Sequence, residues 1–295
     1  MVIFYKVIKE LLVSILILLT STYIMFVLLG QFTYKNTTQG IQKYSFNDIN
    51  DEYFSWTIYL ITKGEFPNQT KSIRDVNSII SQGFSRTFSI VAGSIVVISL
   101  VFIPVGFVSG YKKLKLSKLF STALFIISSV PVFLLSIFIR PFWVNNFGQI
   151  GLGQSNDLFL RIGYFSIPVI ILSIGDGLGG EIIKHVEDSV SSIEKEKYIL
   201  AASARNAKII PHLLKNSIIP IFSILSSRIT ILLGGALIVE YIFFSEGITK
   251  AALQALQDKD WNVIIAIAFI FSVIIVFMNF LNKFLSIIID PRLRS

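Results

Sequence analysis

Long apolar blocks alternate with short polar segments along this chain. A helix needs about 20 mostly apolar residues to cross the hydrocarbon of a membrane, and each block comes close to or exceeds that length. The pattern therefore predicts six membrane spans at Leu11–Phe32, Phe88–Ser109, Leu119–Trp143, Gly163–Glu181, Ile218–Phe243 and Val263–Ile288. The first block is longer than the apolar part of a secretory signal, and no A-x-A-like site follows it, so it is predicted to remain as a span.

Composition supports an all-α integral membrane protein. Of the 295 residues, 53% are hydrophobic and 15% are charged, whereas a soluble domain carries about 25% charged residues. The absence of cysteine excludes disulfides, thiol nucleophiles and thiolate metal sites. The two histidines, His185 and His212, are too few and too far apart in sequence to suggest a metal site.

Basic residues are distributed unevenly between the two predicted sides of the membrane. The N-terminus, the segments 111–118 and 182–217, and the C-terminus hold most of the Lys and Arg, whereas the short loops of the other side hold Arg161, Lys250 and Lys259. Because short cytoplasmic loops are enriched in Lys and Arg, both termini are predicted to be cytoplasmic. The predicted organisation is residues 1–32 as head and first span, 33–86 as an extracellular loop region, and 87–295 as the core with the other five spans and a cytoplasmic segment at 197–220.

Motifs for enzymatic chemistry are missing. The chain has no G-x-x-x-x-G-K-[ST] loop, G-x-S-x-G elbow or H-E-x-x-H helix. The run Gly175-Asp-Gly-Leu-Gly-Gly180 resembles a phosphate-binding loop, but it lies in an apolar block with no preceding strand. Its small residues are interpreted as allowing helices to approach closely.

Ionisable residues inside predicted spans are costly and are therefore candidates for function. Asp176 in the fourth span, with Arg228 and Glu240 in the fifth, is a candidate for the translocation pathway. Arg228 and Glu240 are separated by roughly 18 Å along a helix axis, so they cannot pair directly. For Arg228, a structural ion pair within the helix bundle is as well supported by the sequence as a role in the pathway.

The segment from Lys197 to Pro220 is short, basic and helix-compatible between two apolar blocks. Its alanine-rich part favours helix, Asn206 suits a turn, and Pro211 suits the first turn of a second short helix from Ile209 to Ile219. Pro220 is predicted to open the next span. The helix–turn–helix is either a docking element for a soluble partner or an interfacial amphipathic helix without a partner.

This segment resembles the E-A-A, three residues, G signature of permeases of binding-protein-dependent ABC importers. Ala201-Ala202 match the two alanines, whereas Leu200 stands in place of the acid and Asn206 in place of the glycine. Other matches to the oligopeptide, dipeptide and nickel permeases follow in the same order along the chain. They are Ser128-Ser-Val-Pro131, Leu232-Leu-Gly-Gly235, Val239-Glu-Tyr-Ile-Phe243, Gly247-Ile248, Asp260-Trp261 and Asp290-Pro-Arg-Leu-Arg294.

The resemblance implies the fold of a type I ABC importer permease in a bacterial cell membrane. It implies a second permease chain, two cytoplasmic ATPase subunits that use ATP and Mg, and an extracellular lipid-anchored or periplasmic binding protein. The chain itself would bind no cofactor, and the solute would be a peptide, nickel or a metal–chelator complex. The implied ATPase-coupling residues are Tyr198, Ala201, Ala202, Arg205, Asn206, His212 and Pro220.

An ion-coupled secondary transporter or a channel subunit is the alternative class. Such a protein would couple energy through charges in the membrane and would show inverted repeats and broken helices. No clear repeat relates the two halves of this sequence.

Overall fold

The computed structural model describes residues 2–30, 34–37, 40–43, 45–67, 75–112, 115–147, 158–205, 207–243 and 247–289. Within these ranges the elements are helices apart from one short hairpin, so the predicted helical membrane class is confirmed. The helices are α1 Val2–Gly30, α2 Phe46–Lys63, α3 Val76–Val97, α4 Ile103–Lys112, α5 Lys115–Ser128, α6 Val132–Phe147, α7 Leu158–Ile174, α8 Leu178–Glu194, α9 Lys197–Ala204, α10 Ile209–Ile242, α11 Ile248–Asp258 and α12 Trp261–Ile289. The antiparallel hairpin pairs β1 Tyr34–Thr37 with β2 Gly40–Lys43.

Four continuous stretches are long and apolar enough to cross a membrane. They are Tyr5–Gly30, Val76–Tyr111, Ile209–Ile242 and Trp261–Ile288. The second of these joins α3 to α4 through a π-helical turn at Ile98–Phe102, in which the Ile103 N–H donates to the Ile98 carbonyl. Two bent helix pairs would raise the number of spans to six if each pair crosses once.

The third predicted span, Leu119–Trp143, is sharply bent. Its two parts, Lys118–Ser128 and Val132–Asn146, meet at 93°. Pro131 lies between them. A proline lacks the N–H that would continue the helical bonding, and it disfavours the helical conformation of the residue before it.

The fourth predicted span, Gly163–Glu181, is also broken. Ile162–Ile174 and Leu178–Glu194 meet at 55°. The turn between them contains Asp176 at φ 54° and Gly177 at φ 80°, two residues in the left-handed region that interrupts a right-handed helix. The helix beyond the break runs to Glu194, past the predicted end of the span.

The described residues form two compact units. The first contains α1, the hairpin, α2, the start of α3 to Ser85, α11, and α12 to Leu281. The second contains the chain from Arg86 through α4–α10 and the end of α12.

An aromatic cluster lies at the centre of the first unit. Phe26, Tyr53 and Trp56 are buried together with Ile49 and Ile265. Edge-on ring contacts join Phe26 to Tyr53 and to Trp56, with centroids 5.4 and 5.5 Å apart. Because α2 supplies Ile49, Tyr53 and Trp56, the 33–86 region is tied to α1 and α12 through this helix.

Helix α8 is the centre of the second unit. Its residues Ile182, Val186 and Val190 have no exposed surface. On α4, a Cβ at Gly106 would lie 2.6 Å from the Ile183 carbonyl oxygen, and one at Gly110 would lie 2.6 Å from that of Glu187. These two glycines therefore allow α4 and α8 to pack with their backbones nearly in contact.

Two carboxylates close to helix starts in the first unit have shifted pKa values. Asp75 accepts hydrogen bonds from Ser78 just before α3, and these bonds lower the pKa of Asp75. Burial raises the pKa of Glu52 on α2, and the neighbouring Asp48 raises it further. A hydrogen bond to the ionised form lowers the pKa of a carboxyl group, whereas the loss of solvent raises it.

Candidate functional site

The predicted coupling segment folds as a helix, a turn and the start of a long helix. Helix α9 ends at Ala204. The N–H of the next residue, Arg205, donates to the Ala202 carbonyl, and the Ala207 N–H donates to the same carbonyl at 3.0 Å. Helix α10 starts at Ile209, with Lys208 in extended conformation before it. Pro211 therefore lies in the first turn of α10, as predicted.

Two buried aliphatic side chains attach this segment to the second unit. Ile199 is 1% exposed and Leu213 is 0% exposed, one on each side of the turn. Helix α9 packs against α8 and α10. The segment is thus held at two points while most of its surface remains accessible.

Most of the predicted coupling residues share this accessible surface. Tyr198, Ala201, Arg205 and His212 are exposed, and Ala202 is half-buried. Asn206 lies outside the described residues.

Sequence reasoning missed three large apolar side chains on the same surface. Leu200, Ile210 and Leu214 are 57%, 45% and 50% exposed. Each is the sequence neighbour of a buried or half-buried aliphatic residue, so apolar character alone could not show which side chain faces outward. The coupling segment therefore presents a mixed apolar and basic surface.

Pro220 does not belong to this surface. The predicted second short helix ending at Ile219 is wrong, because α10 continues without interruption from Ile209 to Ile242 and contains Pro220. Pro220 is half-buried and lies about 12 Å along the helix axis from His212. One proline removes one helical hydrogen bond, and a span in a membrane tolerates this loss when neighbouring helices surround it.

The breaks at Pro131 and Asp176 are joined to each other by hydrogen bonds. Asp176 Oδ1 accepts from the Val132 N–H at 2.9 Å. In return the N–H groups of Asp176 and Gly177 donate to the carbonyls of Val130 and Ser128, at 3.3 and 2.6 Å. Backbone groups freed by both breaks are thereby satisfied, which is required where water is absent.

Glycines make the approach of these two breaks possible. A Cβ at Gly175 would lie 2.9 Å from the Val132 Cβ, and a Cβ at Gly180 would collide with Ser128 Oγ. The Gly180 N–H donates to the same hydroxyl at 3.1 Å. The interpretation of Gly175–Gly180 as a close-packing stretch is therefore confirmed.

Arg228 forms an ion pair with Glu181, and its Nη2 lies 2.5 Å from Glu181 Oε2. The two side chains are 30% and 40% exposed. The sequence left two alternatives for Arg228, a role in the pathway or an ion pair within the helix bundle. The structure contains such an ion pair. A partly exposed pair of this kind still presents charge to whatever lies beside it.

The other two intramembrane candidates differ in exposure. Asp176 is exposed, and a Cβ at Gly235 on α10 would lie 3.8 Å from its Oδ2. Glu240 is fully buried and accepts a hydrogen bond from Thr87 Oγ1 at 2.5 Å. Asp176, Glu181 and Arg228 are therefore accessible polar groups of the second unit, together called the accessible polar strip, whereas Glu240 lies in the interior of that unit.

A family model described as "Binding-protein-dependent transport system inner membrane component" matches residues 102–295. The chain belongs to this family. The matched range contains the joined breaks, the coupling segment and α10. This membership, together with the apolar helices, makes the chain a multi-pass protein of the bacterial cell membrane.

Several curated proteins are similar over most of their length. The oligopeptide transport system permease protein AppB of Bacillus subtilis is 24% identical over 97% of this chain and 98% of its own. The dipeptide transport system permease protein DppB of the same organism is 23% identical over 95% and 94%. The metal-staphylopine import system permease protein CntB of Staphylococcus aureus is 25% identical over 86% and 81%. The similarity to AppB thus extends into residues 33–86, in which no family motif is recognisable from the sequence alone.

Proposed function

We propose that this chain is the permease subunit of an ATP-driven importer and forms half of the pathway for a solute that an extracellular binding protein delivers. The observation that carries the proposal is the family match over residues 102–295. Chains of this family are components of transport systems, and this supports a subunit that carries out no catalysis itself. ATP and Mg are bound by two partner ATPases.

The coupling surface is the proposed contact with an ATPase. It consists of the exposed residues of α9 and the first turns of α10, namely Tyr198, Leu200, Ala201, Arg205, Ile210, His212 and Leu214. Small and apolar side chains allow close packing against a groove of a partner. Arg205 supplies charge at the rim.

Mechanical coupling follows from the continuity of α10. This helix has 34 residues, so it is roughly 50 Å long. A displacement applied at its Ile209 end moves the whole rod, including the part next to Asp176. Rigid-body movement of this kind is one of the ordinary ways in which a protein changes between two states.

The proposed topology has six spans, with α5–α6 and α7–α8 as bent spans and both termini in the cytoplasm. A second permease chain completes the pathway. The accessible polar strip of Asp176, Glu181 and Arg228 is the proposed pathway lining, because charged side chains in a membrane face water or protein rather than lipid. Glu240 is buried and stabilises the interior instead.

Peptides are the proposed solute class. AppB and DppB carry oligopeptide and dipeptide transport in their names, whereas CntB is named for metal–staphylopine import. A metal–chelator complex is therefore the second class to test.

The proposal is tested by weakening the coupling surface. Ala201→Arg combined with Ala202→Arg places two long charged side chains where small ones lie, which should prevent docking of an ATPase. Copurification of the ATPases with the tagged permease should be lost, together with ATP-dependent peptide uptake into proteoliposomes. Thr62→Arg, an exposed position on α2, is the matched control and should leave both unchanged.

Two results would count against the proposal. Retention of the complex and of uptake by the Ala201→Arg, Ala202→Arg protein would show that the ATPase docks elsewhere. Uptake driven by an ion gradient without any ATPase would place the chain among secondary transporters.

A further inference from the structure

Helix α2 has three distinct faces. One face is buried in the first unit and carries Ile49, Tyr53 and Trp56. The exposed remainder, from the second turn onward, is divided by residue type. At 100° per residue, Phe54, Ile58 and Ile61 share one sector, and Asp51, Ser55 and Thr62 share the next.

The apolar sector is widely accessible. Phe54 and Ile58 are each 60% exposed and Ile61 is 76% exposed. An ordinary surface helix has one apolar and one polar face. Here the apolar face toward the core is already present, so this second apolar sector needs another neighbour.

Contacts with α1 place α2 beside an apolar span. The Tyr53 hydroxyl donates to the Leu19 carbonyl at 3.0 Å, and the Tyr23 hydroxyl donates to Asn50 Oδ1 at 2.8 Å. A Cβ at Gly30 would lie 2.7 Å from Ile49. Leu19 and Gly30 are separated by roughly 16 Å along α1, close to half of the about 30 Å of hydrocarbon in a bilayer.

Helix α2 also contacts α12, near the start of that helix. Trp56 contacts Phe269 with ring centroids 5.4 Å apart, and both pack in the cluster that includes Ile265. These residues of α12 lie within its first turns after Trp261. The last turns of α1 and the first turns of α12 thus flank α2 at one end of their spans.

The neighbouring surface of α1 is apolar and exposed. Only 11% of the most apolar window of α1 is buried. Ile24 and Leu28, in the same part of α1 that contacts α2, are 56% and 57% exposed. Exposed apolar side chains are therefore present on both α2 and the part of α1 that it contacts.

Both ends of α2 are capped by hydrogen bonds, which a helix near hydrocarbon requires. Ser45 and Asp48 form a reciprocal capping box at its start. Gly64, at φ 69°, donates its N–H to the Leu60 carbonyl at its end. Each end thus has a backbone partner in the chain itself, which lowers the cost of leaving water.

We propose that α2 is an interfacial membrane helix whose Phe54–Ile58–Ile61 sector contacts lipid acyl chains at the Gly30 end of α1. Its Asp51–Ser55–Thr62 sector faces water. With the proposed topology this is the outer leaflet. Residues 46–63 are then an extension of the membrane domain.

The test uses single cysteines, since the chain has none. Ile58→Cys and Ile61→Cys report on the apolar sector, and Ser55→Cys and Thr62→Cys are matched controls one sector away. Each variant carries a nitroxide in the full transporter in phosphatidylcholine–phosphatidylglycerol nanodiscs. Collisions with oxygen, which concentrates in lipid, are compared with collisions with a water-soluble nickel chelate.

The ratio of oxygen to nickel collisions should be severalfold higher at positions 58 and 61 than at 55 and 62. High nickel access at all four positions would mean that water surrounds α2 and would overturn the proposal. Low access of both reagents at 58 and 61, with immobile spectra, would mean that protein covers the sector and would also overturn it. All four positions are exposed, so the label does not disturb the aromatic cluster, and the control variants report whether the chain is folded.

Discussion

At the scale of single residues, Asp176 shows why a charge inside a span is ambiguous from sequence. Its position in an apolar block indicates function. In the structure, Oδ1 caps the start of α6 through the Val132 N–H, while the residue itself is exposed. One carboxylate can therefore stabilise a break and also present charge to the proposed pathway.

Three substitutions separate the roles of Asp176. Asp176→Asn keeps an oxygen for Val132 and tolerates the left-handed backbone, so its stability should be near that of the wild type. Asp176→Gly keeps the backbone conformation but loses the hydrogen bond from the Val132 N–H, at about 1 kcal/mol. Asp176→Ala loses the cap and adds about 1–2 kcal/mol of backbone strain. Thermal unfolding of the purified protein should follow the order Asn, Gly, Ala.

Transport by the Asp176→Asn protein then tests the role of the charge. Loss of peptide uptake with normal stability would assign the charge to the pathway. Equal stability of all three variants would contradict the capping role.

The Arg228–Glu181 pair is a second test at this scale. Removing one partner leaves the other charge in a poorly solvated place, and a fully buried pair broken in this way costs about 3–5 kcal/mol. Solvent reaches both groups here, so Glu181→Gln and Arg228→Gln should each cost less, about 1–2 kcal/mol. The double variant should be closer to the wild type than the sum of the two single changes. Strictly additive losses in unfolding measurements would show that the two groups do not interact.

At the scale of elements, hydropathy located the long apolar helices but did not reveal where they bend. The hydropathy of an apolar block is the same whether its helix is straight or bent. Pro131 was visible in the sequence, yet a proline inside a membrane helix does not always break it, as Pro220 inside α10 shows. The difference is that the break at Pro131 is completed by hydrogen bonds from Asp176 and Gly177, some 45 residues later in the chain.

Helix α2 was not predicted from the sequence. Its sequence is too polar for a span, so hydropathy assigned it to a loop. Its aromatic contacts with α1 and α12 join residues far apart in sequence, and no local pattern reports them. In contrast, the helix at Lys197–Ala204 and the break before Ile209 were predicted, because their cause is local, namely a short basic stretch between two apolar blocks.

Packing of α8 against α5 gives a prediction with an internal control. A Cβ at Gly180 would lie 2.6 Å from the Phe125 Cα, whereas a Cβ at Gly234 meets nothing within 4 Å. Gly180→Ala should destabilise the protein by about 1–3 kcal/mol through overpacking. Gly234→Ala should be neutral or stabilising by up to about 1 kcal/mol, since alanine favours helix. Thermal unfolding of both variants in one detergent compares them, and equal effects would contradict the close contact.

At the scale of the whole molecule, the proposed orientation in the membrane rests on the distribution of charge. Residues 102–295 match the family model, and the proposed cytoplasmic segment lies inside that range. Charge asymmetry sets the predicted orientation, and it is independent of the motifs that identify the family. A direct test of orientation therefore also tests whether the coupling surface can reach a cytoplasmic ATPase.

The cysteine-free chain allows this test in intact cells. Thr62→Cys and Ser203→Cys are both exposed positions, one on α2 and one on α9. A membrane-impermeant maleimide should label Thr62→Cys from outside, whereas Ser203→Cys should react only after the cells are permeabilised. The unmodified chain is the blank. After permeabilisation, coexpressed ATPase should slow the labelling of Ser203→Cys, because the docked subunit covers α9. Labelling of Ser203→Cys in intact cells would reverse the topology and remove the coupling surface from the side where ATP is available.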